Sequence, residues 1–253
     1  MDTTQKDLAA HPYRAFLHRV STPSRYVGGE FGSFQREPVP GDASMVLVFP
    51  DVYEVGMSHL GSQVIYNAIR QQPDLRIERA YAPWGDLEAE LRARALPLVT
   101  LESWSPLSDF DMVGFSLQHE LSFTNVLNVL DLAQFPLLAH ERISEPIVLG
   151  GGNCALHPEP MAPFFDAFFA GEAEPFLPAM MRLVARMRRE GQRRSAILEA
   201  LAACPGVYCP SLYAPDATGM PRPQGRVRPS RIARVFVPQL DDYPAPATPI
   251  FVN

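Results

Sequence analysis

The chain has 253 residues, enough for one large domain or for one domain with substantial appendages. Its 47% hydrophobic and 20% charged residues are ordinary for a soluble globular protein, and a net charge of -6 argues against a general nucleic-acid binder. No apolar run reaches the roughly 18 residues of a membrane span and no signal-peptide core opens the chain, so the cytoplasm is the expected location.

Residues Met1 to Ala43 offer one short amphipathic helix, Tyr13 to Val20, and then a loop, Pro23 to Phe34, carrying three glycines and several aromatics. The favoured reading is an N-terminal arm packing its aromatics on a larger body; the second is a pocket lined by Arg25 and Glu30. From Ser44 strands and helices alternate. Val46–Phe49 is a continuous apolar run, as expected of a strand buried on both faces. Pro50 stops it, Asp51 to Gly56 must form a tight loop, and Leu60, Val64, Ile65, Ala68 and Ile69 then recur at helical spacing, predicting a helix over Ser58–Gln71. Further strands are expected at Arg76–Ala80, Met112–Ser116, Pro146–Leu149 and Ala167–Ala170, with Leu98–Thr100 as an edge strand. Helices are expected at Leu87–Ala95, Leu121–Gln134 (capped by Ser122 or Thr124), Pro175–Arg189 and Ser195–Ala203. This order predicts an α/β fold: a doubly wound, Rossmann-like parallel sheet of about five strands.

After Cys204 proline becomes dense and periodicity fades; only Ile232–Val237 reads as a strand, with Val207–Leu212 as a hairpin partner. The expected organisation is an arm over 1–43, the sheet domain over 44–203 and a proline-rich extension over 204–253.

Four loops follow the carboxyl ends of strands, where such sheets bind ligands: Asp51–Gly56, Ser116–Glu120, Gly150–Glu159 and Gly171–Glu174. No G-x-G-x-x-G follows the first strand and no phosphate-binding G-x-x-x-x-G-K-[ST] occurs, which argues against an ordinary dinucleotide or nucleoside triphosphate site. His59 reads as a buried or capping histidine, whereas His119 and His157 are expected in the crevice. Cys154 reads as a small core residue, since no base is placed beside it. Cys204 and Cys209 have no second pair to complete a metal site.

Taken together, these loops resemble the cobalamin-binding domain, whose pattern is Asp-x-His-x-x-Gly after the first strand, Ser-x-Leu after the third and Gly-Gly after the fourth. Asp51-Val-Tyr53-Glu-Val-Gly56 matches except at the histidine, Ser116 falls at the serine with a leucine directly after it, and Gly150-Gly151 match the last element. More closely, the chain resembles the N-terminal part of radical SAM proteins that carry a cobalamin-binding-like domain. The matching strings include Arg25-Tyr-Val-Gly-Gly-Glu30, Phe49 to Gly61, Tyr81-Ala-Pro-Trp84, Val113 to Gln118, Leu127 to Asp131 and Gly150 to Cys154.

The resemblance implies that Asp51, Tyr53, Gly56, Ser116, Gly150 and Gly151 surround a cobalamin, with Glu172 at its edge; it assigns no catalytic residue and no protein metal ligand here. Tyr53 stands where the pattern has the cobalt-binding histidine, and a neutral phenol with a pKa near 10 is a poor substitute. Cobalamin would therefore lack that ligand, or the domain keeps the fold as an interaction or substrate-recognition surface. Such enzymes hold an iron–sulfur cluster on Cys-x-x-x-Cys-x-x-Cys in a following barrel, where it cleaves S-adenosylmethionine. That motif is absent from this sequence. The expected role is to hold a corrinoid or substrate portion over that barrel, in the same or a separate chain, for a radical methylation, methylthiolation or rearrangement.

Overall fold

The computed structural model describes residues 7–33, 39–225, 229–237, 239 and 242–243. Phe34, at the end of the expected N-terminal loop, and Pro238, Pro244, Pro246, Pro249 and Ile250–Asn253 of the expected proline-rich extension lie outside them.

Strand β1 (Ala43–Phe49) is buried at all seven positions, because side chains on both of its faces meet packed helices. Around it stand β2 (Leu75–Tyr81), β3 (Met112–Ser116), β4 (Ile147–Gly151), β5 (Ala167–Phe169) and β6 (Val207–Tyr208), in the order β2-β1-β3-β4-β5-β6. The first five run parallel and β6 is antiparallel to β5. The fold is the doubly wound α/β sheet expected, extended by one antiparallel strand. The chain winds outward from β1 to β2, then returns to β3 on the other side. That reversal opens a crevice at the carboxyl ends of β1 and β3.

Helices cover both faces. In the arm, α1 (Ser24–Val27) is a single turn, and α2 (Tyr53–Gly56) is another in the loop after β1. Against one face pack α4 (Gly85–Arg94), α5 (Phe123–Leu132) and the arm, burying Tyr13, Phe16, Leu87, Leu91, Val126, Val129 and Leu130 on Val46, Val48 and Phe115. Against the other pack α3 (Leu60–Arg70), α6 (Leu177–Arg189) and α7 (Arg194–Leu201), burying Tyr66, Ile69, Met180, Met181, Val184 and Leu201 on Met45, Leu47, Ile147 and Leu149. In α6, Leu177, Met180, Met181 and Val184 recur every three or four residues and share one face. The arm is pinned by polar contacts too: the Tyr13 hydroxyl donates to Pro97 O at 2.6 Å and Trp104 Nε1 to Val27 O at 3.0 Å.

Four local expectations differ from the structure. Tyr13–Val20 does not form one helix; with Tyr13 tied to Pro97, only Leu17–Arg19 winds, as a 3-10 turn. Leu98–Thr100 adds no strand to the sheet. It folds on itself through a single Val99–Pro106 bridge, because Glu102 in the intervening loop reaches back to the buried Arg79. Ser122 sits at the N-cap of α5, yet its hydroxyl donates to His119 O at 2.8 Å instead of accepting from the helix. Ile232–Val237 does not pair with Val207–Leu212: Val207–Tyr208 joins β5, while Val235 N donates to Ala170 O at 3.0 Å and Val235 O accepts from Glu172 N at 3.2 Å. Gly171 allows that approach, since a Cβ there would sit 2.1 Å from Val235 O. Pro215, Pro221 and Pro223 sit in a separate small hairpin, β7 (Tyr213–Pro215) with β8 (Pro221–Pro223), outside the large sheet.

Candidate functional site

At the switch point a cleft of about 220 Å³ opens between the sheet edge, the start of α3 and the start of α6. Its floor is apolar: Met45, Leu47, Leu149 and Phe169 from the sheet, Ile65 and Leu177 from the flanking helices. Polar groups stand around it: His59, Ser116, Gln118, Asn153, Glu172, Glu174 and Arg234. Two features of the strands make the space. Gly114 carries no side chain, and the flexible Met45 methyl lies over it. Gly151 has no atom within 4 Å of where a Cβ would stand, so this position opens directly into the cleft. Just beyond, Gly152 has φ +96° and packs so closely on Leu117 O that a Cβ would come within 2.6 Å of it. Leu117 N donates to Gly151 O at 2.6 Å and Cys154 N to Leu117 O at 3.0 Å, locking the β3 and β4 loops together.

The seven residues expected around a cofactor divide into two groups. Ser116, Gly151 and Glu172 line the cleft. Ser116 Oγ accepts from Gln118 Nε2 at 2.8 Å, and Glu172 Oε2 accepts from Val237 N at 2.5 Å, which ties the 229–237 segment to the rim. Asp51, Tyr53, Gly56 and Gly150 do not line it. Asp51 caps its own loop by accepting from Val52 N at 2.7 Å. Gly56 packs under the Tyr81 ring, and Gly150 faces Phe168 and Leu117 on the opposite side of the sheet.

Tyr53 is buried, packs edge-on against Tyr81 and donates its hydroxyl to Glu30 Oε1 at 2.9 Å. Burial, together with the Glu30 carboxylate, pushes its pKa well up, so it stays a neutral phenol. Glu30 in turn accepts from Arg79 Nη2 at 2.9 Å, and Arg79 Nε donates to Glu102 Oε1 at 2.6 Å. The loop after β1 is thus fastened to the arm and to β2 by a buried ionic cluster.

Sequence reasoning missed Gln118, Asn153 and Arg234 as cleft residues. The first two lie in loops already marked by their place after strands. Arg234 had no such signal, because it arrives on a distant segment through the bridge between Val235 and Gly171. His59, expected as a buried or capping histidine, caps α3 and also lines the cleft, whereas His119 and His157, expected in the crevice, do not line it. Cys154 is buried, and burial together with the nearby Glu120 carboxylate pushes its thiol pKa up. All three cysteines are free, and among the described residues no three His, Cys, Asp or Glu side chains converge as a metal site. Nor is any helix among them long and apolar enough to cross a membrane.

A family model described as radical SAM proteins, N-terminal, matches residues 61–210. The chain belongs to that family. Membership implies a radical SAM domain downstream of such a region. An uncharacterized protein of Methanocaldococcus jannaschii is 23% identical over 133 residues, covering 52% of this chain and 24% of that protein. Two structures of TsrM from Kitasatospora setae, a radical S-adenosylmethionine methyltransferase, are similar in fold. The one with tryptophan and a SAM analogue has a TM-score of 0.40 at 15% identity, covering 75% of this chain and 31% of that one. The one with cobalamin and a 4Fe–4S cluster has a TM-score of 0.40 at 14% identity, covering 76% and 31%. The chain therefore spans less than a third of each of these proteins.

Proposed function

We propose that this chain is the cobalamin-binding-like module of a radical SAM enzyme, holding part of a corrinoid in its cleft and presenting the rest to the radical SAM barrel. The observation that carries this reading is the cleft itself. It lies at the switch point of the sheet, with an apolar floor and polar rim, in a chain of the radical SAM N-terminal family. At about 220 Å³ it falls below the roughly 300–1,000 Å³ that encloses a whole drug-sized ligand. It is suited to one heterocyclic arm of a larger molecule whose body stays over the sheet edge. Ser116 and Gly151 would flank the arm and Glu172 the edge. Loops and helix starts on this same edge expose Val55, Leu60, Trp84, Leu121 and Leu156, as expected of a surface that another body covers.

Bound cobalamin supplies the carrier chemistry; the chain's own residues bind, orient and exclude water. Tyr53, held by Glu30, offers the cobalt no ligand, so the corrinoid would be retained by its inserted arm alone. The iron–sulfur cluster and S-adenosylmethionine belong to the downstream barrel, whose reaction would be a radical methylation, methylthiolation or rearrangement.

The test is retention of hydroxocobalamin after gel filtration, read by visible absorbance. The wild-type protein should emerge coloured, with an altered spectrum, and Gly151→Val should emerge colourless while still folded. A wild-type protein that shows no spectral shift at high corrinoid concentration sinks this reading. It would favour the second one, to which the buried Tyr53–Glu30 contact points: a sheet kept for interaction or substrate recognition after loss of the cofactor.

A further inference from the structure

His59 has two roles at one place. It is the N-cap of α3, and its Nδ1 accepts from Ser62 N at 3.1 Å, with the Ser62 hydroxyl 2.9 Å away. A backbone N–H can only donate, so Nδ1 must present its lone pair and the ring proton must sit on Nε2. The ring is held by a tilted contact with Phe49, centroids 5.0 Å apart, and by its approach to Gly61, where a Cβ would come within 2.9 Å of Cε1. Among the described residues no group bonds to Nε2, and the side chain borders the cleft. The other charged side chains of the cleft are Glu172, Glu174 and Arg234. Adding a second proton would turn Nδ1–H against Ser62 N–H at the positive end of a helix; burial also holds the pKa of His59 down.

We infer that His59 is a fixed neutral hydrogen-bond donor, Nε2–H, that reads an acceptor atom on the part of the ligand inside the cleft and is unavailable as a metal ligand. This rests on the proposed function only for the identity of the ligand. Metal binding through Nε2 would require the proton to move to Nδ1 and break the cap, so the fold opposes it. The donor selects an oxygen or unprotonated nitrogen there and rejects a cation.

Two measurements decide the matter. Long-range ¹H–¹⁵N correlation on the full chain reads the tautomer without any ligand: His59 should show protonated Nε2 and bare Nδ1 at neutral pH, and a protonated Nδ1 there would overturn the assignment. Hydroxocobalamin and cobinamide, which lacks the nucleotide arm, are then titrated into wild type and His59→Asn. Asparagine still caps a helix, so the melting temperature should hold, while hydroxocobalamin binding weakens roughly tenfold, the loss of about one hydrogen bond. Cobinamide binding should not change between the two proteins. His59→Ala should lose stability as well as binding. Equal hydroxocobalamin affinity in wild type and His59→Asn would overturn the donor role. If wild type binds no corrinoid, the proposed function falls, and the tautomer measurement still judges His59.

Discussion

Replacing Arg79 by methionine should destabilise the protein by about 3–5 kcal/mol, the usual loss when one partner is removed from a buried ion pair. Arg79 is 4% exposed; its backbone N and Nε both donate to Glu102, at 2.7 and 2.6 Å, and Nη2 donates to Glu30. Its guanidinium also stands 5.2 Å from the centre of the Tyr66 ring. Glu30 and Glu102 are themselves 5% and 4% exposed, so the variant strands two carboxylates without a counter-charge in a place water does not reach. Against a typical total of about 5–15 kcal/mol this is a large loss. At roughly 2–4 °C per kcal/mol for a chain of this size, the melting temperature should fall by about 6–20 °C. Urea unfolding followed by tryptophan fluorescence measures it, and Trp104 is well placed because it bonds to the arm at Val27. The triple variant Arg79→Met, Glu30→Gln, Glu102→Gln removes the charges together and should recover most of the loss. A single variant within about 1 kcal/mol of wild type, or a triple variant no better than the single, would refute the claim that this cluster fastens the arm.

Three further outcomes follow from the same structure. Burial, with Glu78 and Glu30 nearby, raises the Glu102 pKa despite Arg79. The folded chain then holds the proton that the unfolded chain has released, so this group's contribution declines as pH rises from the ordinary glutamate value of about 4.3 through the raised one. Urea midpoints between pH 4 and 8 should fall less steeply with rising pH in Glu102→Gln than in wild type. Gly56→Ala would place a Cβ 2.4 Å from the Tyr81 ring and 3.0 Å from Phe49 Cβ, and should cost about 1–3 kcal/mol in the same assay. Shortening Tyr81 to leucine should relieve it. Gly171→Ala, at φ +136° and against Val235 O, should lift the 229–237 segment, so trypsin cuts at Arg231 and Arg234 sooner while the sheet's unfolding transition moves little.

Of the five parallel strands, β1, β3, β4 and β5 were legible in the sequence because each is a short apolar run bounded by turn residues, and two buried faces leave such a run no other use; β2, with Arg76, Glu78 and Arg79 among its apolar residues, gave a weaker signal. The glycine loops marked the working edge for a similar reason: β4 can end on Gly151 and Gly152 only where something must come close to the backbone. What alternation and spacing do not carry is direction across the sheet. Gly150 and Gly151 are adjacent, yet the pleat sends one toward Phe168 and the other into the cleft. The cluster of Glu30, Arg79 and Glu102 was equally hidden, since its members come from the arm, an edge strand and a loop, and only tertiary packing brings them together. Leu98–Thr100 misled for the same reason: its apolar residues serve the loop that carries Glu102, not a strand of the sheet.

The stretch from Met45 to Gly61 shows how this division of faces bears on function. Within it, Met45 and Leu47 floor the cleft, Tyr53 turns away to Glu30, and His59 turns back to the cleft from the cap of α3. Tyr53 cannot swing to a cofactor without leaving Glu30 short of a donor in a buried site, a loss of about 1–3 kcal/mol before any new contact is made. His59 cannot bind a metal through Nε2 without giving up Ser62. Tyr53, at the expected ligand position, and His59, six residues on, are therefore both committed by the fold to something else. On the proposed function, a corrinoid bound here would be held by the shape and hydrogen bonds of the cleft, with no metal ligand from Tyr53 or His59.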